Sequence, residues 1–264
     1  MKKALYLAFL LLISSITSGT SIKANPSQES SKQLPSYLSN QWRLGLGLAA
    51  EYLNMDAKVK IRPDPGMGLL GNIASDQSQT GKHFQVAPCI EIGKTFSKDY
   101  YLGLLLSWRY SGLKSSSRSP IFQSFYFQNE LSLTHYTDAL IKAGYQFTPR
   151  SMIYGLIGPT LTQWRHTSNQ MSDNTLINKL QTNKTDVGLG FGIGFEYLFK
   201  KDYAFSIDFV HHLHRPASKN YFLSYSAPIN AFPLIIGNFA GDVNKKIDLS
   251  FSTIAARFTT FFSL

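Results

Sequence analysis

The chain contains segments of about a dozen residues in which apolar side chains alternate with small or polar ones. In the first segment, from Gln41 to Asn54, one face carries Trp42, Leu44, Leu46, Leu48, Ala50 and Tyr52. The other face carries glycine, alanine and charged residues. Side chains of a β-strand point alternately to its two faces, so one face suits lipid and the other suits a crowded interior. The pattern therefore predicts strands that cross a membrane.

Eight such segments follow one another, and the links between them are alternately short and long. The segments cover approximately residues 41–54, 83–96, 100–113, 127–147, 152–165, 185–199, 203–214 and 247–264. Short links lie at 97–99, 148–151 and 200–202, and long links lie at 55–82, 114–126, 166–184 and 215–246. This alternation predicts an all-β, antiparallel, up-and-down transmembrane β-barrel with short periplasmic turns and long extracellular loops. A further hairpin within residues 221–240 would raise the strand count from eight to ten.

The phase of each segment predicts which side chains meet lipid. In the fourth segment, Leu131 and Leu133 share the outward phase. In the fifth segment, the isoleucines and leucine that fall on the predicted inner face are Ile153, Ile157 and Leu161. Aromatic residues near the segment ends predict two interfacial belts. The belts comprise Phe96, Tyr100, Phe147, Tyr154, Tyr197, Phe199, Tyr203 and Phe262 near the turns, and Tyr52, Phe84, Trp108, Tyr110 and Phe127 near the loops.

The N-terminal region predicts export. Two lysines, an apolar run from Ala4 to Ile13 and the small residue Ala24 fit a secretory signal peptide over residues 1–24. Residues 25–40 are polar and serine-rich, and they predict a flexible periplasmic lead-in to the barrel at 41–264. Removal of residues 1–24 deletes three lysines and no acid, so the net charge falls from +10 to +7. Export separates this basic chain from nucleic acid, and an anionic outer leaflet is its expected neighbour.

Three stretches of the sequence resemble one family. They are the run Ile141–Phe147 before a short turn, the glycine-rich run Gly188–Phe199, and a last strand with alternating aromatic residues. Over residues 41–264 the chain resembles the small eight-stranded outer-membrane barrels of the opacity-protein and OmpA/OmpX kind. The resemblance implies a multi-pass protein of the bacterial outer membrane, inserted by the barrel-assembly machinery through its C-terminal strand. Family members usually end in Phe, whereas this chain ends in Leu264, and no peptidoglycan-binding domain is expected.

Charged residues fall on the inner face of the predicted strands. The set contains five acids and four bases, namely Arg43, Glu51, Glu91, Arg109, Asp138, Lys142, Glu196, Asp208 and Arg257. Counting from the periplasmic turns gives a similar depth to Glu91, Lys142, Asp208 and Arg257. Because an unpaired buried charge is very costly, this nearly neutral set predicts mutual pairing. An eight-stranded barrel is just wide enough to be filled by side chains, so we expect a plugged lumen.

The long links are unusually rich in apolar residues. The candidate contact residues are Phe122, Phe125, Tyr221, Phe222, Tyr225, Phe232 and Phe239. Exposed apolar patches usually bind something, which favours contact with a host or another cell. In the alternative interpretation, the links pack on one another or extend the strands above the membrane.

A histidine cluster is the candidate for catalysis or metal binding. His212 and His214 share the predicted inner face with Asp208, and His211 lies on the opposite face. Histidine-based sites of lipid-modifying barrels face lipid, and no serine lies two residues from these histidines on that face. We therefore expect histidines at the barrel rim, no catalytic residue, no metal ligand and no cofactor.

These expectations define a monomeric, non-enzymatic outer-membrane barrel that contributes to membrane integrity and to surface adhesion. Its expected partners are outer-membrane lipid, lipopolysaccharide, the assembly machinery and a host or cell-surface ligand. The first alternative is a small channel or hydrophobic-ligand conduit, which requires a continuous lumen. The second is a lipid-modifying enzyme, which requires a serine or carboxylate next to a lipid-facing histidine.

Overall fold

A computed structural model of the chain describes residues 41–63, 75–96, 99–122, 125–172, 174–229 and 235–264. The predicted signal peptide and lead-in, residues 1–40, lie outside the described residues. The strands are β1 (Trp42–Pro63), β2 (Ser75–Phe96), β3 (Tyr100–Tyr110), β4 (Lys114–Phe122), β5 (Phe125–Thr148), β6 (Ser151–Ser172), β7 (Thr175–Lys200), β8 (Tyr203–His214), β9 (Ala217–Ile229) and β10 (Ile235–Ser263). Within these ranges, no helix has the length and apolar character that a membrane crossing needs.

Eight of the strands close into one antiparallel ring. Its order is β1-β2-β3-β5-β6-β7-β8-β10, and β10 pairs with β1 to complete the circle. The closing ladder starts with Arg43 opposite Ser263 and continues to Pro63 opposite Val243. The predicted up-and-down barrel is confirmed, and only two or three residues separate β2 from β3, β5 from β6 and β7 from β8 along the chain.

The other two strands, β4 and β9, add no member to the ring. β4 pairs with β5 above the β3 ladder, and β9 pairs with β10 above the β8 ladder. Each follows the ring strand before it after a break of a few residues, and one of these breaks contains Pro216, which has no N–H for a ladder. The hairpin considered for a ten-stranded barrel therefore exists, but it lies above an eight-stranded ring.

The long links are built mostly of β-strand. Above the membrane they form two four-stranded sheets, β9-β10-β1-β2 and β4-β5-β6-β7. The alternative in which the links extend the strands is the one that the structure shows. We call this region the extracellular extension, and it comprises residues 53–63, 75–83, 113–122, 125–133, 164–172, 174–185, 217–229 and 235–251.

The polarity of the two strand faces inverts between the membrane part and the extracellular extension. In β1 the outward side chains are exposed and apolar up to Tyr52, but they are polar or charged from Asn54 to Arg62. The strand keeps its phase while its surroundings change from lipid to water, so the interior becomes the apolar side. The buried core of the extension is Leu53, Met55, Ala57, Val59, Ile61, Leu113, Phe127, Leu131, Leu133, Tyr136, Trp164, Ile247, Leu249 and Phe251.

The placement of Leu131 and Leu133 on the outward face is wrong, because β5 contains a β-bulge. Leu133 lies opposite Trp164, whereas His135 lies opposite Gln163, so Thr134 is the extra residue. A single extra residue transfers every following side chain to the other face. Both leucines are fully buried in the extension.

The phase predicted for β6 is also wrong. Ile153, Ile157 and Leu161 point outward and are about half exposed (53%, 53% and 49%). Met152 and Leu156 lie on the inner face and are buried. Both faces of this strand are apolar, so alternation alone carried no information about its phase.

Two residues assigned to the aromatic belts lie inside the barrel. Tyr154 and Phe127 are buried, Tyr154 in the lumen and Phe127 in the extension core. Most other belt residues are exposed, with Tyr52, Phe84, Trp108 and Tyr110 at the extracellular boundary.

Candidate functional site

All nine predicted lumen charges lie inside the barrel and are buried. Most of these charges form two layers, and the upper layer, which is nearer the extracellular side, is centred on Arg109 of β3. Its Nε donates to Glu51 Oε2 at 2.7 Å, its Nη2 donates to Glu51 Oε1 at 2.7 Å, and its Nη1 donates to Asp138. Gln85 Nε2 also donates to Glu51 Oε2, at 3.1 Å. A bidentate arginine–carboxylate pair of this kind fixes both the position and the orientation of the side chains.

The lower layer is built on Lys142 of β5. Lys142 Nζ lies 2.8 Å from Glu91 Oε1 and 2.6 Å from Glu196 Oε2, so one ammonium joins β2 to β7 across the lumen. Tyr101 Oη donates to the same Glu91 oxygen at 2.7 Å. These contacts place Glu196 beside Lys142, at the depth of Glu91.

Arg257 of β10 completes the lower layer. Its Nη2 lies 3.3 Å from Asp208 Oδ2, and its Nη1 lies 4.0 Å from Glu91 Oε2. Tyr154 Oη donates to Asp208 as well. The structure thus brings together the four residues to which the sequence assigned a similar depth.

Arg43 lies below both layers, near the periplasmic turns. Its Nη2 donates to the Lys201 carbonyl at 3.0 Å, and its guanidinium lies 4.2 Å from the centre of the Phe261 ring. Arg43 therefore contacts the β7–β8 turn and the last strand.

Two lumen glycines make room for Tyr101 and Tyr154, which contact carboxylates of the lower layer. A Cβ atom at Gly93 would collide with the Tyr101 ring, and one at Gly194 would collide with the Tyr154 ring. Tyr101 lies on the inner phase of its segment, so alternation could have identified it. Tyr154 was missed because β6 was placed in the wrong phase.

The space between the two layers is almost filled. A cavity of about 10 Å³ lies there, with Glu51, Cys89, Arg109, Asp208 and Arg257 among its lining residues. That volume is close to the minimum that one water molecule needs. Side chains therefore fill most of the space that these residues enclose.

The double substitution of Arg257 and Asp208 is expected to show strong coupling. Arg257→Ala leaves the Asp208 carboxylate without its cation, whereas Arg257→Ala with Asp208→Ala removes both charges. We expect a coupling energy of about 0.5–3 kcal/mol in a double-mutant cycle measured by urea unfolding in lipid vesicles. Additive effects would contradict the pairing.

The inward histidines are packed against polar and aromatic partners. His212 Nδ1 lies 3.1 Å from Thr160 Oγ1 and 3.5 Å from Asp138 Oδ1, and the His212 ring stacks on Phe251 at 4.3 Å between ring centres. His214 Nε2 lies 3.1 Å from Thr162 Oγ1. In the described part of the chain, no group of three or more His, Cys, Asp or Glu residues could hold a metal ion.

His211 points outward from β8 and meets a serine of the neighbouring strand. Its Nδ1 lies 2.8 Å from Ser252 Oγ of β10, and its ring contacts the Phe191 ring edge-on at 5.5 Å between centres. No serine lies two residues from His211 on the same face of β8, so sequence spacing does not predict this pair. The serine comes from across the β8–β10 ladder, where His211 and Ser252 are register partners.

A chain of hydrogen-bonded polar side chains lies inside the extension, beside its apolar core. Lys245 Nζ donates to Asn129 Oδ1 at 2.9 Å, and Ser168 Oγ donates to the same oxygen at 2.8 Å. Burial lowers the pKa of Lys245 to about 7. Burial, together with the nearby Lys245 charge, lowers the pKa of His166 to about 3.

These pKa values predict that the extension becomes less stable as the pH falls. Between pH 10.5 and about 7, Lys245 takes up a proton in the unfolded chain but not in the folded chain. Between pH 6.5 and about 3, His166 takes up a proton in the unfolded chain but not in the folded chain. Stability should therefore fall with pH through both windows. Trp164 fluorescence during urea unfolding, with Trp42 and Trp108 replaced by Phe, would report it. Lys245→Met should abolish the dependence above pH 7 and leave the acid window in place, and an unchanged slope would contradict the prediction.

Six of the seven predicted contact residues lie on strands of the extension. Phe122 is in β4, Phe125 is in β5, Tyr221, Phe222 and Tyr225 are in β9, and Phe239 is in β10. Phe232 lies outside the described residues.

The ring topology, the lipid-facing outer wall and the inverted polarity above it define a transmembrane β-barrel. Residues 41–221 match the model of the outer membrane protein beta-barrel domain, and the chain belongs to this family. It is a protein of the bacterial outer membrane, with its extension at the cell surface.

Solved structures with similar folds are distant in sequence. OprG from Pseudomonas aeruginosa is 12% identical, with 88% of this chain and 100% of that one covered and a TM-score of 0.45. The outer membrane protease OmpT from Escherichia coli is 7% identical, with 87% and 99% covered and a TM-score of 0.44. Ail, the attachment invasion locus protein of Yersinia pestis, is 10% identical, with 80% and 98% covered and a TM-score of 0.29. A comparison with curated proteins gives no match.

Proposed function

We propose that this protein is a closed, non-conducting barrel that contributes to the integrity of the outer membrane and presents its extension for adhesive contact. The charge layers carry the proposal. Arg109 binds carboxylates of β1 and β5, and Lys142 binds carboxylates of β2 and β7, so ion pairs cross the lumen at two depths. An ion would have to break these contacts to pass.

Conductance in planar lipid bilayers tests the closed lumen. The refolded protein should show no steady channel, and Arg109→Ala with Lys142→Ala should raise the conductance because it opens both layers. Leu104→Ala, a shortened side chain on the lipid face, is the matched control and should remain silent. Large steady conductance from the unmutated protein would refute the proposal.

The adhesive role rests on the strand-built extension. A two-sheet core holds its outer surface in one arrangement, which lowers the entropy cost of binding a ligand on a host or another cell. Non-adherent bacteria that display the protein should bind to host-cell monolayers more than bacteria that display a variant without residues 217–247. Equal binding would remove adhesion from the proposal.

The proposed partners follow from the same architecture. We propose a monomer that is inserted by the barrel-assembly machinery through β10 and surrounded by outer-membrane lipid and lipopolysaccharide. Closure of the ring by β1 and β10 supports the monomer, because every transmembrane strand then has two neighbours within one chain. Native mass spectrometry of the refolded protein tests this state.

A second candidate function, a hydrophobic-ligand conduit, is favoured by one observation. The β7–β8 ladder begins at Gly188, and no ladder joins the described parts of β7 and β9 above it. This edge of β7 is therefore unpaired in the described residues, and a ligand could enter the barrel from the side there. Inward side chains of this stretch, such as Thr182 and Asp186, are partly exposed. Uptake of a fluorescent fatty acid into vesicles that contain the protein would support this candidate over the closed barrel.

A further inference from the structure

The outward pair His211 and Ser252 belongs to a row of polar residues that crosses four strands. His211 lies opposite Ser252, Ser252 lies opposite Asn54, and Asn54 lies opposite Lys82. The next row towards the periplasm consists of the exposed apolar residues Phe209, Ile254, Tyr52 and Phe84.

On β10, β1 and β2 this row is the level at which the outer wall changes from apolar to polar, whereas on β8 the exposed Leu213 extends the apolar wall above His211. Aromatic residues such as Tyr52 and Phe84 mark the membrane interface, where lipid headgroups begin. The ester bonds of membrane lipids lie at that interface, between the acyl chains and the headgroups. A lipid whose acyl chain lies against Phe209, which is about half exposed (46%), would bring an ester to the level of His211.

The geometry of the pair fits base-assisted attack by an oxygen nucleophile. The distance of 2.8 Å between His211 Nδ1 and Ser252 Oγ is within the range in which a base takes a proton from a serine. Both residues are partly exposed, and the edge contact with Phe191 orients the imidazole ring. The inner His212, in contrast, is fully buried and has no access to lipid.

We propose that Ser252 and His211 form a nucleophile and base that hydrolyse ester bonds of anionic outer-leaflet lipids. This activity goes beyond the closed-barrel function and uses none of the lumen residues. Asn54 provides an amide donor beside Ser252 for the developing oxyanion, and Lys82 at the end of the row provides a positive charge for a phosphorylated headgroup.

The reaction balances without any further reactant except water. His211 takes the proton of Ser252 Oγ as that oxygen attacks the ester carbonyl carbon. The bond from this carbon to the alcohol oxygen then breaks, and His211 returns the proton to the leaving alcohol. Water, activated by His211, attacks the acyl-serine in turn, which releases the fatty acid and restores Ser252.

Fatty-acid release from lipid vesicles is the first test. The full chain is refolded into vesicles of phosphatidylglycerol with lipid A, and free fatty acid is measured by mass spectrometry. Ser252→Ala and His211→Asn should each lower release by about 10²-fold or more. Ser250→Ala is the matched control, because Ser250 is the adjacent outward residue of β10 and lies opposite Leu213. It should retain the full rate.

Covalent trapping separates catalysis from folding. A fluorophosphonate lipid analogue should add its mass to Ser252 of the unmutated protein and of Ser250→Ala, and it should leave His211→Asn unlabelled. Heat-modifiable migration on gels establishes that each variant is folded. No release by the unmutated protein, equal release by all four proteins, or no label on Ser252 would each overturn the proposal. Conductance is measured separately, so failure here leaves the closed barrel unaffected.

Discussion

Arg109→Met is expected to destabilise the barrel by about 3–5 kcal/mol, because it leaves two buried carboxylates without their cation. Arg109 is the shared partner of Glu51 and Asp138, and neither acid has any exposed side-chain surface. Met retains most of the side-chain length, so the change removes charge more than volume. Urea unfolding in lipid vesicles, followed by tryptophan fluorescence, measures the free energy of unfolding.

The matched control removes the acids as well. Arg109→Met with Glu51→Gln and Asp138→Asn leaves no uncompensated charge in this layer, so it should be more stable than Arg109→Met alone. Amides still accept and donate the hydrogen bonds of the layer, including the one from Gln85 to residue 51. If the triple variant were the least stable protein of the series, the charges would not be paired in the way we describe.

The fold was predictable from the sequence where one physical rule holds along a strand. Lipid outside and a polar lumen inside give a period of two, and the glycine-rich β7 shows it without interruption. The rule fails at Thr134, because a bulge changes the phase without any signature in the alternation. It fails again in β6, because the inward residues Met152 and Leu156 are apolar and so are the outward residues Ile153 and Ile157.

The extracellular extension could be predicted from the sequence only as one alternative, for a different reason. Above Tyr52 the same strand continues, but water replaces lipid and the apolar face turns inward. If a strand is recognised by apolar residues on its outward face, it ends at Tyr52, and the residues that follow are assigned to a loop. A change of polarity at constant phase, as from Tyr52 to Leu53 and Met55, is the signal that identifies such an extension.

The candidate sites were predictable only as far as they depend on phase. Phase alone places Arg257 and Asp208 in the lumen, whereas their contact depends on the stagger between strands. The His211–Ser252 pair depends on the register between β8 and β10, which β9 separates along the chain. Sequence spacing carries no information about that pairing.

Leu104→Arg is expected to destabilise the inserted barrel by about 2–4 kcal/mol, because it places a charge on the lipid face near the membrane midplane. Leu104 points outward from β3 between Ile92 of β2 and Ile141 of β5, and all three side chains are exposed on the outer wall. Refolding titrations in vesicles measure the cost.

The control for Leu104→Arg is an arginine on the same outer face above the membrane. Ser116 of β4 is exposed in the extension and lies opposite Glu130, so Ser116→Arg gains a neighbouring acid and meets water rather than lipid. Exposed substitutions of this kind usually change stability by less than about 0.5 kcal/mol. The difference between the two arginines therefore measures the boundary of the membrane on this wall. Equal costs at the two positions would mean that the outward face of β3 is not in contact with lipid.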